Sequence, residues 1–408
     1  MAVALHDGYF GTGTGAGRSN RALLDAVVGA LAPGIGLVLL PVLLLPGSPE
    51  YDRAAHQAAH GRLAAVPYQV IPLDNGTGGM RRFGDLVAFQ RLNQHAAAVL
   101  HELAARHQQG LLIAIDQPFA GLGPLLEPPV GWRLLYLPRS CADHHADAER
   151  AAWEEQGLAG WTQRGAVIGA ISAHMRALLV GKGVPAAQIL DVPGGLAAAD
   201  RVPLDAAPPL PAEARNGFVL AMGRAQPYKG FEDLLDALAR LTRRGVRAPH
   251  LLLAAVTDAG PTAYQRHLRE HVAELGLDVT LWTRFHPGLP GLLHHPRLRA
   301  VVVPSRAEPL GRIPLEAFAA GAARVVATTA GGLAETVIEG TTGYTAPPND
   351  PQALADAVLR ALTAPPEQVE RLRAAGAALV ATRDYTRCIT GVLTALAPWA
   401  TAAAATKP

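Results

Sequence analysis

The chain has 408 residues, of which 50% are hydrophobic and 17% charged, so it is long and apolar enough to bury two domain cores. Its formal net charge of +2 gives no electrostatic footprint for nucleic acid, so no nucleic-acid partner is expected. Its two cysteines, Cys141 and Cys388, form no disulfide or metal-binding framework, which fits a reducing compartment.

The sequence predicts no membrane segment. Met1–Leu5 is too short and uncharged to be a signal peptide. The most apolar run, Ile35–Leu45, is interrupted by Pro41 and falls short of the ~20 residues that a helix needs to span a bilayer. We therefore expect a cytoplasmic protein without stable membrane insertion, and we interpret the apolar run as a buried strand.

Short apolar segments alternate with amphipathic segments along the first half of the chain. The predicted strands are Val3–Leu5, Leu37–Leu45, Gln69–Leu73, Leu111–Ile115, Arg133–Leu137 and Val167–Ile171. The predicted helices are Ser19–Ala32, Val87–Arg106 and Ala173–Val180. This alternation predicts a parallel sheet with helices on both faces.

A proline-rich stretch from about Gly194 to Asn216 interrupts this pattern and has the composition of an interdomain linker. The alternation then restarts. The predicted strands are Phe218–Met222, His250–Ala255, Val279–Trp282, Ala300–Val303 and Val325–Thr328, and the predicted helices are Phe231–Arg243, Tyr264–Leu275 and Pro351–Leu362. One more helical segment follows Asp384 and ends near Ala397.

Two doubly wound α/β domains are the predicted fold class. We expect an N-terminal domain over residues 1–195, a linker over 196–215 and a C-terminal domain over 216–384. A C-terminal helix and a frayed tail would occupy 385–408, with the helix returning to the N-terminal domain. Ligands of such sheets bind beyond the carboxyl ends of the strands, so we expect the site in a cleft between the domains.

Two glutamates eight residues apart are the most informative feature of the sequence. After the apolar strand Val301–Val303, a proline and a glycine predict an irregular turn, and Pro314 is tolerated only in the first turn of a helix. Glu308 is therefore expected on a loop and Glu316 in a helix whose start has no Ser, Thr, Asp or Asn cap. Carboxylates can accept hydrogen bonds from sugar hydroxyls, while the free N–H groups between them can face a diphosphate.

Two cations follow the first strand of the second domain. Gly223 is expected to give a sharp exit from that strand, and Arg224 and Lys229 lie on the loop beyond it. Arginine can bind phosphate oxygens with two hydrogen bonds, and lysine supplies a point charge. The alternative is that both residues are ordinary surface cations on a solvated loop.

Four segments, in order and at matching spacing, resemble the large family 4 of retaining glycosyltransferases, which has the GT-B fold. They are Gly223-Arg224…Lys229-Gly230, Pro304–Ala317 with the two glutamates, Ala330–Val337 and Gly340–Pro348. The segment Ala166–Gly195 resembles the last unit of the family's N-terminal domain more loosely. The resemblance therefore covers nearly the whole chain.

The resemblance implies roles for these residues. Arg224 and Lys229 would bind the donor diphosphate and stabilise the departing nucleotide, a role that a metal has elsewhere. Glu308 would hold hydroxyls of the donor sugar, and Glu316 would accept hydrogen bonds from the ribose. Further donor contacts are expected from Gly223, Leu310, Gly311 and, for the base, Phe285. The alternative for Glu316 is that it only complements the positive end of a helix.

A glycine-rich loop between the first strand and the first helix allows close backbone approach to a phosphate. It contains Gly11-x-Gly13-x-x-Ala16, a variant of the dinucleotide-binding fingerprint, without a clear acidic residue at the end of strand two. Ser19 or Asn20 would cap the helix. In the family this loop meets the donor phosphate and the acceptor, so Gly13 and Gly15 are candidate donor-binding residues.

One position departs from the family pattern. Many members carry a histidine after the fourth strand of the N-terminal domain, where this chain has Asp116-Gln117-Pro118. Asp116 or Gln117 would take the positioning role of that histidine, or the role is absent and Asp116 is a turn residue before a proline. The segment Arg139–Glu149 contains metal-ligand residue types, but local helix spacing does not bring them together, so no metal is expected.

Together, the residues and the resemblance predict a metal-independent, retaining glycosyltransferase without a cofactor. The C-terminal domain would bind a nucleoside-diphosphate sugar. The N-terminal domain would bind a small polar acceptor, such as a cyclitol, an aminocyclitol or another natural-product intermediate. The alternatives are a sugar-nucleotide epimerase or hydrolase on the same fold, and a nicotinamide-dependent oxidoreductase that uses the first glycine-rich loop.

Overall fold

Two compact units make up the chain in the computed structural model, which describes residues 1–5, 15–48, 50–128, 130–139, 147–257 and 261–402. The first unit combines Met1–Gly194 with Tyr385–Pro408, and the second unit is Gly195–Asp384. The proline-rich residues 196–215 therefore count within the second unit, where Ala214 is fully buried. Among the described residues, no helix is both long and apolar enough to cross a membrane.

A seven-stranded parallel sheet forms the first unit. Its strands are β1 Ala2–Leu5, β2 Leu37–Pro41, β3 Tyr68–Val70, β4 Gly110–Ile115, β5 Trp132–Leu137, β6 Val167–Ala170 and β7 Ile189–Asp191. Its helices up to this point are α1 Gly15–Ala30, α2 Arg53–Leu63, α3 Leu86–Arg106, α4 Ala148–Gln163 and α5 Ala173–Gly181. The strand order is β3-β2-β1-β4-β5-β6-β7, so the order reverses between β1 and β4.

The second unit has a six-stranded parallel sheet in the order β10-β9-β8-β11-β12-β13, which reverses between β8 and β11. Its strands are β8 Phe218–Arg224, β9 His250–Thr257, β10 Val279–Arg284, β11 Leu298–Val303, β12 Val325–Thr328 and β13 Tyr344–Ala346. Its helices are α6 Phe231–Arg243, α7 Ala263–Leu275, α8 Arg312–Ala319, α9 Pro351–Thr363 and α10 Pro366–Ala381.

The last helix, α11 Tyr385–Leu396, belongs to the first unit and packs against α1. The backbone N–H of Ala32 donates to the carbonyl of Ala400 at 2.9 Å, and Leu31 forms an isolated antiparallel bridge with Thr401. The C-terminal segment therefore packs on α1 and on the residues that follow it.

The core of each unit consists of apolar strands covered by apolar helix faces. Every residue of β4 is buried, as expected for a central parallel strand, and Tyr136 of β5 stacks on Trp161 of α4 with ring centroids 5.2 Å apart. In the second unit, α6 turns the apolar side of a strongly amphipathic sequence to the sheet and buries Leu234, Leu235, Leu238 and Leu241.

Several predicted boundaries were wrong. Helix α1 begins at Gly15, so Ser19 and Asn20 lie inside the helix and do not cap it; Asn20 is 1% exposed. Strand β2 ends at Pro41 rather than at Leu45, because proline has no N–H with which to continue the ladder.

Helices α2, α4 and α10 and strands β7 and β13 were not predicted. Helix α4 was not predicted because it contains two glycines, which weaken a helical pattern in the sequence. A Cβ at Gly157 would lie 2.5 Å from the backbone of Ala120, and one at Gly160 would lie 2.3 Å from the ring of Pro124. These glycines allow α4 to pack closely on the 3-10 segment Gln117–Leu125. Long-range packing therefore sets the residue type there, not helix propensity.

Candidate functional site

The loops after β8 and β11 lie where the strand order of the second sheet reverses, which is where ligands of open α/β sheets bind. Arg224 is the last residue of β8, the loop after it carries Lys229, and the loop after β11 carries Glu308. Lys229 Nζ lies 2.5 Å from Glu308 Oε2. The structure thus brings together two of the predicted site residues that the sequence could only place on separate loops.

The Lys229–Glu308 ion pair is largely shielded from solvent, with 13% and 16% of the two side chains exposed. Burial alone lowers the pKa of Lys229, but the neighbouring Glu308 carboxylate outweighs burial, and the net pKa is raised above the ordinary lysine value. Lys229 is therefore a cation at neutral pH. The Lys229 ammonium also lies 5.1 Å from the ring centroid of Tyr228.

Two further contacts hold these loops together. The guanidinium of Arg306 donates two hydrogen bonds to the carboxylate of Asp233, from Nε at 2.9 Å and from Nη2 at 2.7 Å. The backbone N–H of Arg306 donates to the carbonyl of Tyr228 at 2.7 Å. Gly230 has a left-handed φ of 64°, and a Cβ there would lie 2.1 Å from the carbonyl oxygen of Pro304. Only glycine fits this position without displacing the second loop.

Arg224 is the last residue of β8 and is exposed. Its Nη2 donates to the hydroxyl of Tyr228 at 3.0 Å. The expected sharp exit at Gly223 was wrong, because β8 continues through Gly223 and the turn follows Arg224. The left-handed glycine of this loop is Gly230 instead.

Helix α8 begins directly after Gly311, which has a φ of 87° and makes no side-chain cap hydrogen bond. Pro314 lies in the first turn, Glu308 lies on the loop and Glu316 lies in the helix, which confirms the local geometry predicted from the proline and glycine pattern. Among the described residues, the N-cap Gly311 offers no side chain to cap this helix start, an arrangement suited to an anion.

Glu316 is buried, with 3% of its side chain exposed. Its Oε1 accepts a hydrogen bond from Arg312 Nε at 2.8 Å, and Arg312 Nη2 also contacts Oδ1 of Asp200. We call Asp200, Arg312 and Glu316 the buried triad. Burial alone lowers the pKa of Arg312, but the two carboxylates outweigh burial and the net pKa is raised.

The turn after β12 packs against the loop that carries Glu308. Gly331 has a left-handed φ of 53°, and a Cβ at Gly332 would lie 2.6 Å from the Cα of Leu310. The backbone N–H of Gly332 donates to the carbonyl of Glu308 at 2.9 Å. Leu310 itself is half-buried.

Phe285 follows β10, the edge strand, so two strands separate its strand from β11. Its half-buried side chain packs against the core of the second unit. Among the predicted donor-binding residues described in this unit, Phe285 is the one whose loop does not lie at the reversal point.

Asp116 follows β4 at the corresponding reversal point of the first sheet. Its φ of 71° and ψ of 175° lie in a region that is essentially reserved for glycine. Its Oδ2 lies 3.4 Å from Arg139 Nη2, and its Oδ1 accepts from the backbone N–H groups of Gln117 and Arg139, each at 3.3 Å. The predicted loop residue Gly13 lies outside the described residues, and Gly15 is the first residue of α1.

Gln117 is 1% exposed, and its side-chain amide is held by α4. Its Oε1 accepts from Arg150 Nε at 3.1 Å, and its Nε2 donates to Glu154. Asp116, with 16% of its side chain exposed, is therefore the more accessible of the two candidates for the position of the family histidine.

Most of the segment Arg139–Glu149, residues 140–146, lies outside the described part of the chain. Helix α4 begins just after it, and Asp147 caps the backbone N–H of Arg150 at 3.1 Å. Within the described ranges, no group of three or more His, Cys, Asp or Glu residues is arranged to hold a metal ion.

Residues 207–378 match the family model described as glycosyl transferases group 1. A stretch of 172 residues is 37% identical to glycogen synthase of Mycobacterium tuberculosis (strain CDC 1551 / Oshkosh) and covers 41% of this chain and 39% of that protein. A stretch of 157 residues is 37% identical to D-inositol 3-phosphate glycosyltransferase of Frankia alni and covers 37% of this chain and 38% of that protein. The chain thus spans about two fifths of the length of these curated relatives.

Solved structures resemble the chain over nearly its whole length. Sucrose-phosphate synthase from Thermosynechococcus elongatus has a TM-score of 0.73 and 22% identity, with 98% of each chain covered. Anabaena Alr3699/HepE in complex with UDP-glucose has a TM-score of 0.68 and 20% identity, with 97% of this chain and 100% of that chain covered. At these identities the likeness establishes the fold alone. The predicted fold class is confirmed: the chain has the GT-B fold, and its residues 207–378 match the glycosyl transferases group 1 model.

Proposed function

We propose that the chain is a retaining glycosyltransferase that transfers a sugar from a nucleoside diphosphate to a hydroxyl of a small polar acceptor. The observation that carries this proposal is the Lys229–Glu308 ion pair at the reversal point of the second sheet. Both residues lie within the part of the chain that matches the glycosyltransferase model.

Arg224 and Lys229 would act on the leaving nucleotide. As the bond between the anomeric carbon and the diphosphate oxygen breaks, negative charge accumulates on that oxygen. The shielded Lys229 and the exposed Arg224 beside it would stabilise this charge more than they stabilise the neutral ester oxygen of the bound donor. In this proposal the two side chains take the role of a metal, and no metal or other cofactor is assigned.

Glu308 would bind hydroxyls of the donor sugar. In the described structure its carboxylate is paired with Lys229, and a bound diphosphate would compete for that lysine. The carboxylate oxygens would then be able to accept hydrogen bonds from the sugar. The backbone of Leu310 and Gly311, at the uncapped start of α8, would contact the sugar or the phosphates.

The proposed chemistry retains the anomeric configuration. The acceptor oxygen forms its bond to the anomeric carbon on the same face from which the diphosphate leaves, and the acceptor proton passes to the departing phosphate oxygen. No carboxylate nucleophile is then required. This differs from retaining glycosidases, whose two carboxyl groups lie ~5 Å apart across the scissile bond.

The donor base and the acceptor are proposed from proteins similar to this chain. The Anabaena protein binds UDP-glucose, so UDP is the first nucleotide to test, with Glu316 on the ribose and Phe285 near the base. The name of the Frankia alni relative favours a cyclitol acceptor. The acceptor would bind to the first unit near Asp116, whose backbone is strained, and the donor to the second unit. Gly13 and Gly15 remain proposed donor-binding residues.

A nucleotide panel tests the proposal. Thermal shifts would be measured with UDP, GDP, ADP, dTDP and NADH, with and without magnesium, followed by turnover assays with the matching nucleotide sugar and inositol acceptors. Stabilisation by one nucleoside diphosphate regardless of magnesium, with little donor consumption until an acceptor is added, is expected. Conversion of the sugar without an acceptor would indicate an epimerase, and stabilisation by NADH alone would overturn the proposal in favour of an oxidoreductase.

A further inference from the structure

The buried triad has a charge arrangement that restricts what it can bind. A buried carboxylate needs hydrogen-bond donors, and Glu316 receives one from the guanidinium of Arg312 one helical turn earlier. Among the described contacts, the triad sets two carboxylates against one guanidinium. Such a place disfavours a phosphate and favours a neutral group that donates hydrogen bonds, such as a hydroxyl.

The guanidinium of Arg312 is held from two directions. Nε bonds Glu316, while Nη2 contacts Asp200, of whose side chain only 4% is exposed. The other carboxylate oxygen of Asp200 accepts from the backbone N–H of Ala197 at 2.8 Å. A planar guanidinium fixed at two points cannot rotate without losing one of them, so Asp200 determines where Arg312 directs Glu316.

We infer that Arg312 and Asp200 are positioning residues that orient Glu316 toward the ribose hydroxyls of the donor, and that the buried triad makes the protein prefer ribonucleotides over 2′-deoxyribonucleotides. This inference rests on the proposed function, in which Glu316 binds the ribose. A site built to accept a hydrogen bond from a hydroxyl rejects the analogue that lacks it, because the buried acceptor is left without its donor.

The test compares UDP with 2′-deoxy-UDP by isothermal titration calorimetry, or the same pair on another base if the nucleotide panel selects one. We expect the native protein to bind the ribonucleotide at least about tenfold more tightly. In Arg312→Lys and Asp200→Asn, the ribonucleotide affinity should fall while the deoxyribonucleotide affinity changes little, so the ratio of the two dissociation constants approaches one. Two variants are needed because either one alone can fail to fold.

Arg244→Lys is the matched control. Arg244 and Asp356 form an exposed ion pair with Nη1 and Oδ1 2.5 Å apart, at the opposite end of α6 from Gly230. This control should keep the native ratio, and thermal melting of each variant would show that it is folded. If Arg312 or Asp200 had a merely structural role, its substitution would weaken the binding of both nucleotides by the same factor. That result would overturn the inference.

Glu316→Gln separates the inference from the proposed function. If Glu316→Gln abolishes the ribonucleotide preference while Arg312→Lys and Asp200→Asn keep it, the inference is wrong and the donor site stands. If Glu316→Gln also keeps the native preference, or if no ribonucleotide is preferred by the native protein, then the ribose role of Glu316 fails and the inference fails with it.

Discussion

Lys229 and Glu308 form an ion pair with Nζ and Oε2 2.5 Å apart although 79 residues separate them in the sequence. The pairing follows from topology, because β8 and β11 are neighbouring parallel strands and their carboxyl ends meet at one edge of the sheet. A cation and a carboxylate are thereby held at one place before any ligand arrives, which reduces the cost of assembling a donor site.

Replacing either cation of this loop should slow sugar transfer. We expect Lys229→Ala and Arg224→Ala each to raise the activation barrier by ~2–4 kcal/mol, roughly 30- to 900-fold in kcat/KM, because each removes a fixed positive charge near the leaving diphosphate. Steady-state kinetics with the donor identified by the panel would measure this. Arg360→Ala, which breaks the exposed Arg360–Glu339 ion pair of the same unit, serves as the control. Near-native turnover in both loop variants would contradict the donor role of these residues.

The stability contributed by Lys229 should depend on pH only at the alkaline end. Its pKa is raised in the folded state, so this contribution is fully present below the ordinary lysine pKa and is lost as pH rises through the folded value. The difference in unfolding free energy between the native protein and Lys229→Met should therefore stay constant from about pH 7 to pH 10 and narrow above that range. Urea unfolding at several pH values would measure it. A native advantage that instead grows with pH between about pH 8 and pH 10 would mean that burial outweighs Glu308 and lowers the pKa of Lys229.

Replacement of Gly230, at the start of α6, should lower stability more than replacement of Gly245 beyond the end of the same helix. We expect Gly230→Ala to destabilise the second unit by about 1–3 kcal/mol, because alanine would both strain the left-handed backbone and collide with the carbonyl of Pro304. Gly245→Ala is the matched control, since Gly245 has a similar φ of 75° and an added Cβ there would meet no other atom within 4 Å.

Chemical unfolding of both glycine variants gives the comparison. The excess cost of Gly230→Ala over Gly245→Ala reports the close approach of the two loops. Equal losses of unfolding free energy in the two variants would show that the loops can separate freely. The donor affinity of Gly230→Ala should then be near native.

The strained backbone of Asp116 should lower the stability of the protein, while its carboxylate should contribute to turnover. Because its backbone conformation suits glycine, Asp116→Gly should be more stable than Asp116→Ala by about 1 kcal/mol, although both lose the ion pair with Arg139. Both variants should lose turnover if the carboxylate has the proposed positioning role. Calorimetric melting and initial rates measure the two effects. Equal stability of the two variants would argue against backbone strain, and native turnover in Asp116→Gly would argue against the role.

Much of the second unit could be predicted because local signals agree with the fold. The predicted bounds of α6 and β12 match the structure, since α6 has an unbroken amphipathic period and β12 is a short β-branched run. The irregular loop with Glu308 and the helix with Glu316 could be predicted because proline and glycine restrict the backbone locally.

The partners of the site residues could not be predicted in the same way. The i, i+4 spacing of Arg312 and Glu316 is readable in the sequence, but Asp200 reaches them from a stretch that looks like a linker. Likewise, Asp233 lies in α6 and Arg306 follows β11, and the two meet because β8, which precedes α6, is the sheet neighbour of β11. Nothing in the sequence around Asp116 indicates that its φ is positive.

The discontinuous first unit has a consequence for synthesis of the protein. The second unit is one continuous segment, whereas the face of α1 that packs on α11 has no partner until residues beyond Asp384 leave the ribosome. Ile389, Val392 and Leu393 are buried residues of α11 and are among the last core side chains of this unit to be synthesised. The unit that begins the chain is therefore the one that completes its core second, and a nascent chain carries an uncovered apolar helix face while the second unit is being made.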